Sequence, residues 1–161
     1  MRDEFCSLWV IGERTHAQWT KPPEMWCLQE ALSAGLFNGP SLELLESIGI
    51  PVKTARCVDL MPPNRFGGAW SVNSARAWAD EYLRELTAHG RVCIVCCGSR
   101  VTRAFRSALA GYYSPDVKYP NAWGQRVDVG TAFTFTRLPT HTKRWPASTI
   151  RHLHEALSWL R

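Results

Sequence analysis

Hydrophobic positions along the chain fall into four short apolar runs separated by stretches with helical spacing. Residues Ser7 to Gly12 form the first run, continuous and closed by glycine, as expected of a strand buried on both faces. Leu28, Ala31, Leu32 and Leu36 then recur at helical intervals, and Ser41 suits the cap of a second short helix through Ile48. Val52 to Met61 reads as the second strand, stopped by Pro62-Pro63. From Ser71, the stripe Val72, Ala75, Ala79, Tyr82, Leu83 and Leu86 predicts an amphipathic helix ending near Gly90. Arg91 to Cys97 is the clearest strand, and Gly98-Ser99 turns the chain into a helix over about 100–110. Residues 111–130, with Pro115, Pro120 and Gly124, predict a loop holding a short edge element. Thr131 to Leu138 is the fourth strand, and Pro146 opens a last helix carrying Ile150, Leu153, Leu157 and Leu160 on one face.

Alternation of strands and helices predicts an α/β fold: a three-layer α/β/α sandwich around a mostly parallel four-stranded sheet. In such sheets ligands bind beyond the carboxyl ends of the strands, so the loops beginning at Glu13, Pro62, Gly98 and Pro139 should meet in one crevice. A length of 161 residues fits one domain. Six cysteines without the regularity of a disulfide framework point to a reducing, cytoplasmic setting. No apolar run is long enough for a membrane span, so a soluble protein with no membrane partner is expected.

The net charge of +5 favours an anionic partner, and its placement is more informative than its size. Arg91, Arg100, Arg103 and Arg106 lie in a stretch without acids, and Arg137, Lys143, Arg144 and Arg151 in another; together they predict one electropositive face.

Each expected loop carries candidate chemistry. Glu13 and His16 are an acid and a base, and Arg14 is a cation for phosphate or a developing anion; the same residues would also suit an ordinary polar surface loop. In the second loop, Asn64 and Arg65 can hydrogen-bond a base or a phosphate, while Phe66 and Trp70 either offer stacking faces or belong to the core. Gly98, Ser99 and Arg100 at a helix start form either a small anion site or plain turn chemistry. The fourth loop packs His141, Lys143, Arg144 and Trp145 into five residues, which suits a grip on a polyanion with a base attached. Cys93 and Cys96 match a C-x-x-C spacing, but within a strand they point to opposite faces and read as small buried hydrophobes.

The order of Gly12-Glu13, Pro62-Pro63-Asn64-Arg65, Gly98-Ser99 and His141-Thr142-Lys143 resembles the motif order of the uracil-DNA glycosylase superfamily over nearly the whole chain. That resemblance implies a single glycosylase-like domain that flips a nucleotide out of DNA and hydrolyses its N-glycosidic bond, leaving an abasic site, in repair or in defence against modified foreign DNA. It implies His141 against the leaving base and Glu13 orienting water or steadying the sugar cation. Asp59, Asn64, Phe66, Arg14 and His16 would hold the base; Arg65, Ser99, Arg100, Lys143 and Arg144 would contact DNA, and Trp145 would fill the vacated stack. No cofactor and no metal are expected, and a monomer is. Two departures matter: Arg14-Thr15 stands where the family usually offers Asp, Asn or Ala followed by Pro, and the fourth motif lacks Pro-Ser after its histidine. An ionised Asp59 only accepts hydrogen bonds, which suits a cytosine-like or modified base, with uracil as the default. A glycosylase-like DNA binder without activity and a hydrolase of free nucleosides or nucleotides are the other two readings.

Overall fold

The computed structural model describes residues 5–14, 26–35, 37–61, 70–86, 88, 90–141 and 144–161, with backbone alone for Arg14 and Trp26. Its strands are β1 (Ser7–Arg14), β2 (Trp26–Cys27), β3 (Arg56–Met61), β4 (Val92–Cys97), β5 (Val127–Val129) and β6 (Phe133–Leu138). The helices are α1 (Leu28–Ser33), α2 (Leu42–Ser47), α3 (Val72–Leu86), α4 (Ser99–Tyr112) and α5 (Ala147–Ala156), and a 3-10 turn follows at Ser158–Leu160.

The strands form a six-stranded sheet in the order β2-β3-β1-β4-β6-β5. Its four central strands are mutually parallel and are the four expected apolar runs, while β2 and β5 add antiparallel edges. The mostly parallel α/β expectation therefore holds, with two more strands than expected. β5 is the short edge element of the 111–130 loop; β2, two residues at the junction of an expected loop and helix, had no apolar run to announce it. The second strand also starts later than Val52, because the Pro51 carbonyl accepts the backbone N–H groups of Thr54 (3.2 Å) and Ala55 (2.9 Å) and turns the chain.

Period-two alternation sends each strand's side chains to two cores. On one face Trp9, Ile11, Val58, Leu60, Ile94, Phe133 and Phe135 pack against α3 and α4. On the other, Val10, Cys57, Cys93, Val95 and Leu138 pack against α1, α2 and α5. Helices thus cover both faces, which is why the parallel strands carry near-continuous apolar runs. Cys93 and Cys96 lie in different cores, so they cannot share a bond or an ion. Arg91 and Arg100 stand at opposite ends of β4, separated by a strand about 20 Å long at ~3.3 Å per residue. Arg91 is held at the amino end by Asp128 and Thr134, so it does not stand with Arg100 at the carboxyl end. No helix among the described residues is long and apolar enough to cross a membrane.

All six cysteines are free; Cys57, Cys93, Cys96 and Cys97 are buried, Cys6 is exposed and Cys27 is intermediate. Burial pushes the Cys57, Cys96 and Cys97 thiols well above their ordinary range. Titration of the native protein with a thiol reagent should modify Cys6 quickly and Cys27 more slowly. The four buried thiols should react only on unfolding, and rapid native modification of Cys93 or Cys96 would contradict this core.

Candidate functional site

Because the four central strands run in one direction, their carboxyl ends at Arg14, Met61, Cys97 and Leu138 share one edge of the sheet. Gly98 makes the turn from β4 into α4 at φ +92°, a conformation that disfavours any residue with a Cβ, and its N–H is tied to the Leu138 carbonyl at 3.1 Å. A cavity of about 320 Å³ opens here, lined by Glu13, Cys97, Gly98, Ser99, Arg100, Thr140 and His141. Three of the four expected loops meet in it; the second, including Asn64, Arg65 and Phe66, lies outside the described residues, as do His16 and Lys143 and the side chain of Arg14. A larger cavity, about 650 Å³, opens at the amino ends of the strands between Phe5, Leu8, Val52 and Leu160. Among its lining residues the charged side chains are Lys53 and Arg161, so of these two cavities the smaller holds the acid and the imidazole.

At the floor of the site, Asp59 is fully buried. It pairs with Gly12 across the parallel strands β1 and β3, on the face shared with α1 and α2. Only a glycine fits opposite: a Cβ at position 12 would overlap the Asp59 carboxylate and stand 2.6 Å from the Asn38 carbonyl and 2.9 Å from the Phe37 ring. The backbone N–H of Asn38 donates to both carboxylate oxygens, at 3.2 and 3.3 Å. Desolvation pushes the Asp59 carboxyl up to about 7, opposed by that hydrogen bond.

Asn38 then reaches upward. Its side-chain Oδ1 lies 3.2 Å from His141 Nε2, joining a turn between α1 and α2 to the loop after β6. An amide oxygen only accepts, so this contact places the ring hydrogen on Nε2 and leaves Nδ1 as an acceptor. Burial lowers the His141 pKa below its ordinary value, with the Glu13 carboxylate opposing, so the ring is neutral at pH 7. Glu13, at the end of β1, pairs with Arg100 at 3.3 Å, and the Arg100 guanidinium also lies over the Trp70 ring, 5.6 Å from its centroid. Ser99 and Arg100 open α4, whose cap residue Gly98 offers no side chain to its first N–H groups.

Glu13, Ser99, Arg100 and His141 are therefore brought together as expected. Two expected roles are corrected. Asp59 has no exposed surface with which to read a base; it acts on the site through Asn38. Trp145 is 6% exposed, packed in the core with Leu138, Leu153 and Leu157, and its Nε1–H donates to the Thr140 carbonyl at 3.0 Å. It is a staple for the His141 loop and has no free face for a DNA stack. Arg144 is exposed and lines a second cavity beside Thr140.

Asn38 escaped the sequence reading. It sits between two short helices with no motif around it, and its only signal is the Asn-Gly pair at 38–39 ending a helical stripe. Compared with known families and with curated proteins, the chain matches no family model and no curated relative.

Between pH ~4 and ~7, folded Asp59 holds a proton that the unfolded chain has released, so its contribution to stability falls as pH rises through that window. At about 1.36 kcal/mol per unit, the shift from 3.8 to about 7 is worth up to ~4 kcal/mol. Urea unfolding of the parent and of Asp59→Asn at pH 4.5 and 7.5 should show the parent losing stability relative to the variant at the higher pH. The opposite trend from His141 is common to both proteins and cancels. Parallel pH profiles would show that Asp59 keeps an ordinary pKa.

Proposed function

We propose that the chain is a DNA glycosylase that hydrolyses the N-glycosidic bond of a flipped uracil or cytosine-like base, as the motif order suggests. The observation that carries this reading is the His141–Asn38 contact, backed by buried Asp59 and faced by Glu13, at the carboxyl edge of a parallel sheet. The His141 N–H and the Asn38 oxygen satisfy each other. A base edge with an acceptor beside an N–H donor would take the place of that contact, its acceptor on His141 Nε2–H and its donor on Asn38 Oδ1. Uracil offers O4 or O2 beside N3–H, and cytosine offers N3 beside its exocyclic amine, so either edge fits. The cytosine preference drawn from Asp59 falls away with its burial.

In this reading, the oxygen of water bonds to C1′ of the sugar while the C1′–N bond breaks and its electron pair leaves with the base. Glu13 orients the water, accepts its proton and opposes the positive charge growing on the sugar. The His141 N–H stabilises the charge growing on the base. The cavity of about 320 Å³ lies in the range of small-ligand pockets and holds one base at a time. A mostly parallel sheet with helices on both faces supports the reading alongside the site.

One observation favours a second reading, a glycosylase-like DNA binder without activity: the Glu13 carboxylate is already engaged by Arg100. The 62% exposure of Arg100 argues for a weak pair that a substrate can reorganise.

Oligonucleotides carrying uracil, cytosine or modified cytosines, incubated with the protein and then cleaved with alkali, should break at one of these bases. Strand scission on none of them, together with tight salt-dependent binding, would leave the binder. His141→Ala and Asn38→Ala should each lower base release by about 100-fold or more, within the range of lost transition-state hydrogen bonds, with binding changed little. Full activity in His141→Ala would remove His141 from the mechanism.

A further inference from the structure

Beside the candidate site lies a second cavity of about 410 Å³ that shares two of its wall residues, Ser99 and Thr140. Its remaining walls include Trp123, Leu138, Pro139, Arg144 and Trp145. The cations Arg137 and Arg144 line it and no acidic residue does, so its charge is complementary to an anion.

Trp123 is one of the few large apolar side chains left exposed among the described residues, at 38% of its surface. Its backbone is nevertheless pinned on both sides. Gly124 N–H donates to the Arg137 carbonyl at 2.9 Å, and Trp159 Nε1–H donates to the Gly124 carbonyl at 3.0 Å. Ala122 N–H donates to Gln125 Oε1 at 3.2 Å, and the Arg137 guanidinium donates to the carbonyls of Pro120 and Asn121. An indole held out on a fixed backbone, in a cavity floored by Leu138, Pro139 and Trp145, is a preorganised stacking platform.

Resting on the glycosylase reading, we infer that this cavity receives the base of the nucleotide next to the flipped one, stacked on Trp123, with its phosphate against Arg144, and that the substrate is a single strand. The contiguous cavities match two adjacent nucleotides, and Ser99 and Thr140 lie where their linking phosphate would pass. Stacking on an aromatic ring is tolerant of sequence and suits a neighbour of any identity. A base seated in this cavity has left its own stack and pairing. Drawing two neighbours out of a duplex adds the unstacking cost of a second step, which a single strand does not meet.

The test uses labelled uracil-containing oligonucleotides, single-stranded and duplex, in which each nucleotide flanking the uracil is replaced in turn by a tetrahydrofuran abasic analogue. Fluorescence anisotropy reads binding and alkali cleavage reads base release. Replacing one of the two neighbours should weaken single-strand binding about 10-fold, the size of one base–aromatic stack. Trp123→Ala should cost about the same on the natural strand and nothing further on the strand lacking that neighbour; Trp123→Phe should restore most of the loss. Duplex should bind more weakly than single strand. Equal losses from Trp123→Ala on both strands, or duplex bound as tightly as single strand, would overturn the inference. If the binding pattern appears but no base is released from these strands or from the matching strands with cytosine or modified cytosines in place of uracil, the subsite stands and the glycosylase reading falls.

Discussion

A carboxylate buried against a glycine is the constraint from which the carboxyl edge of this sheet is built. Pairing of β1 with β3 puts Gly12 beside Asp59, and the missing Cβ lets the carboxylate turn in over β1. There it meets the Asn38 N–H and fixes a turn that no regular element holds. Asn38 in turn reaches His141, 103 residues later in the chain. Strand register, a side chain of zero size, one buried acid and one amide thus decide where an imidazole stands. Burying a carboxyl is costly, and its raised pKa is the sign that the group sheds charge to lower that cost. An apolar residue would be easier to bury, but it could not hold the Asn38 N–H. Retention of a destabilising polar group at the end of a parallel strand fits a residue serving the site more than the core.

The parts of the fold legible in the sequence were those fixed by period and punctuation. The four central strands announced themselves because parallel strands covered on both faces must be apolar throughout, and α3 because its stripe Ala75, Ala79, Tyr82, Leu83 and Leu86 is the buried face. Gly98 marked a turn that its positive φ makes nearly obligatory for glycine. What could not be read was depth. Asp59 in the run Val58-Asp-Leu60 looked like a site residue facing a ligand, yet the strand places it beneath the site, and alternation alone does not say how far a side chain lies from the surface. Trp145 departs from its expected place for a related reason. Trp145 stood among cations and looked like a probe for DNA, whereas it follows a proline-broken strand and turns into the space between Leu138 and Leu153. Trp123 drew no attention because it lies outside every periodic stripe, and for an apolar residue that is itself the signal of exposure.

Glu13, Arg100, His141 and Asn38 form two pairs: the acid is held by the guanidinium and the imidazole by the amide. A ligand that enters must replace those contacts, and only what it returns beyond them counts toward binding or rate. A neutral base edge can replace the His141–Asn38 contact bond for bond, which leaves little net gain in the ground state. On the glycosylase reading, the gain would come when the glycosidic bond stretches: negative charge would grow on the base beside the His141 N–H, and positive charge on the sugar near Glu13. The exposure of the Arg100 guanidinium leaves its pair with Glu13 weak enough to open. Desolvation works in the same direction on the other partner, since a neutral imidazole donates to a developing anion without first surrendering a counterion. On the glycosylase reading, the groups that pair with one another here, His141 with Asn38 and Glu13 with Arg100, are thus the ones that a dissociating glycosidic bond would call on, and release of a base is what separates that reading from a site that only holds DNA.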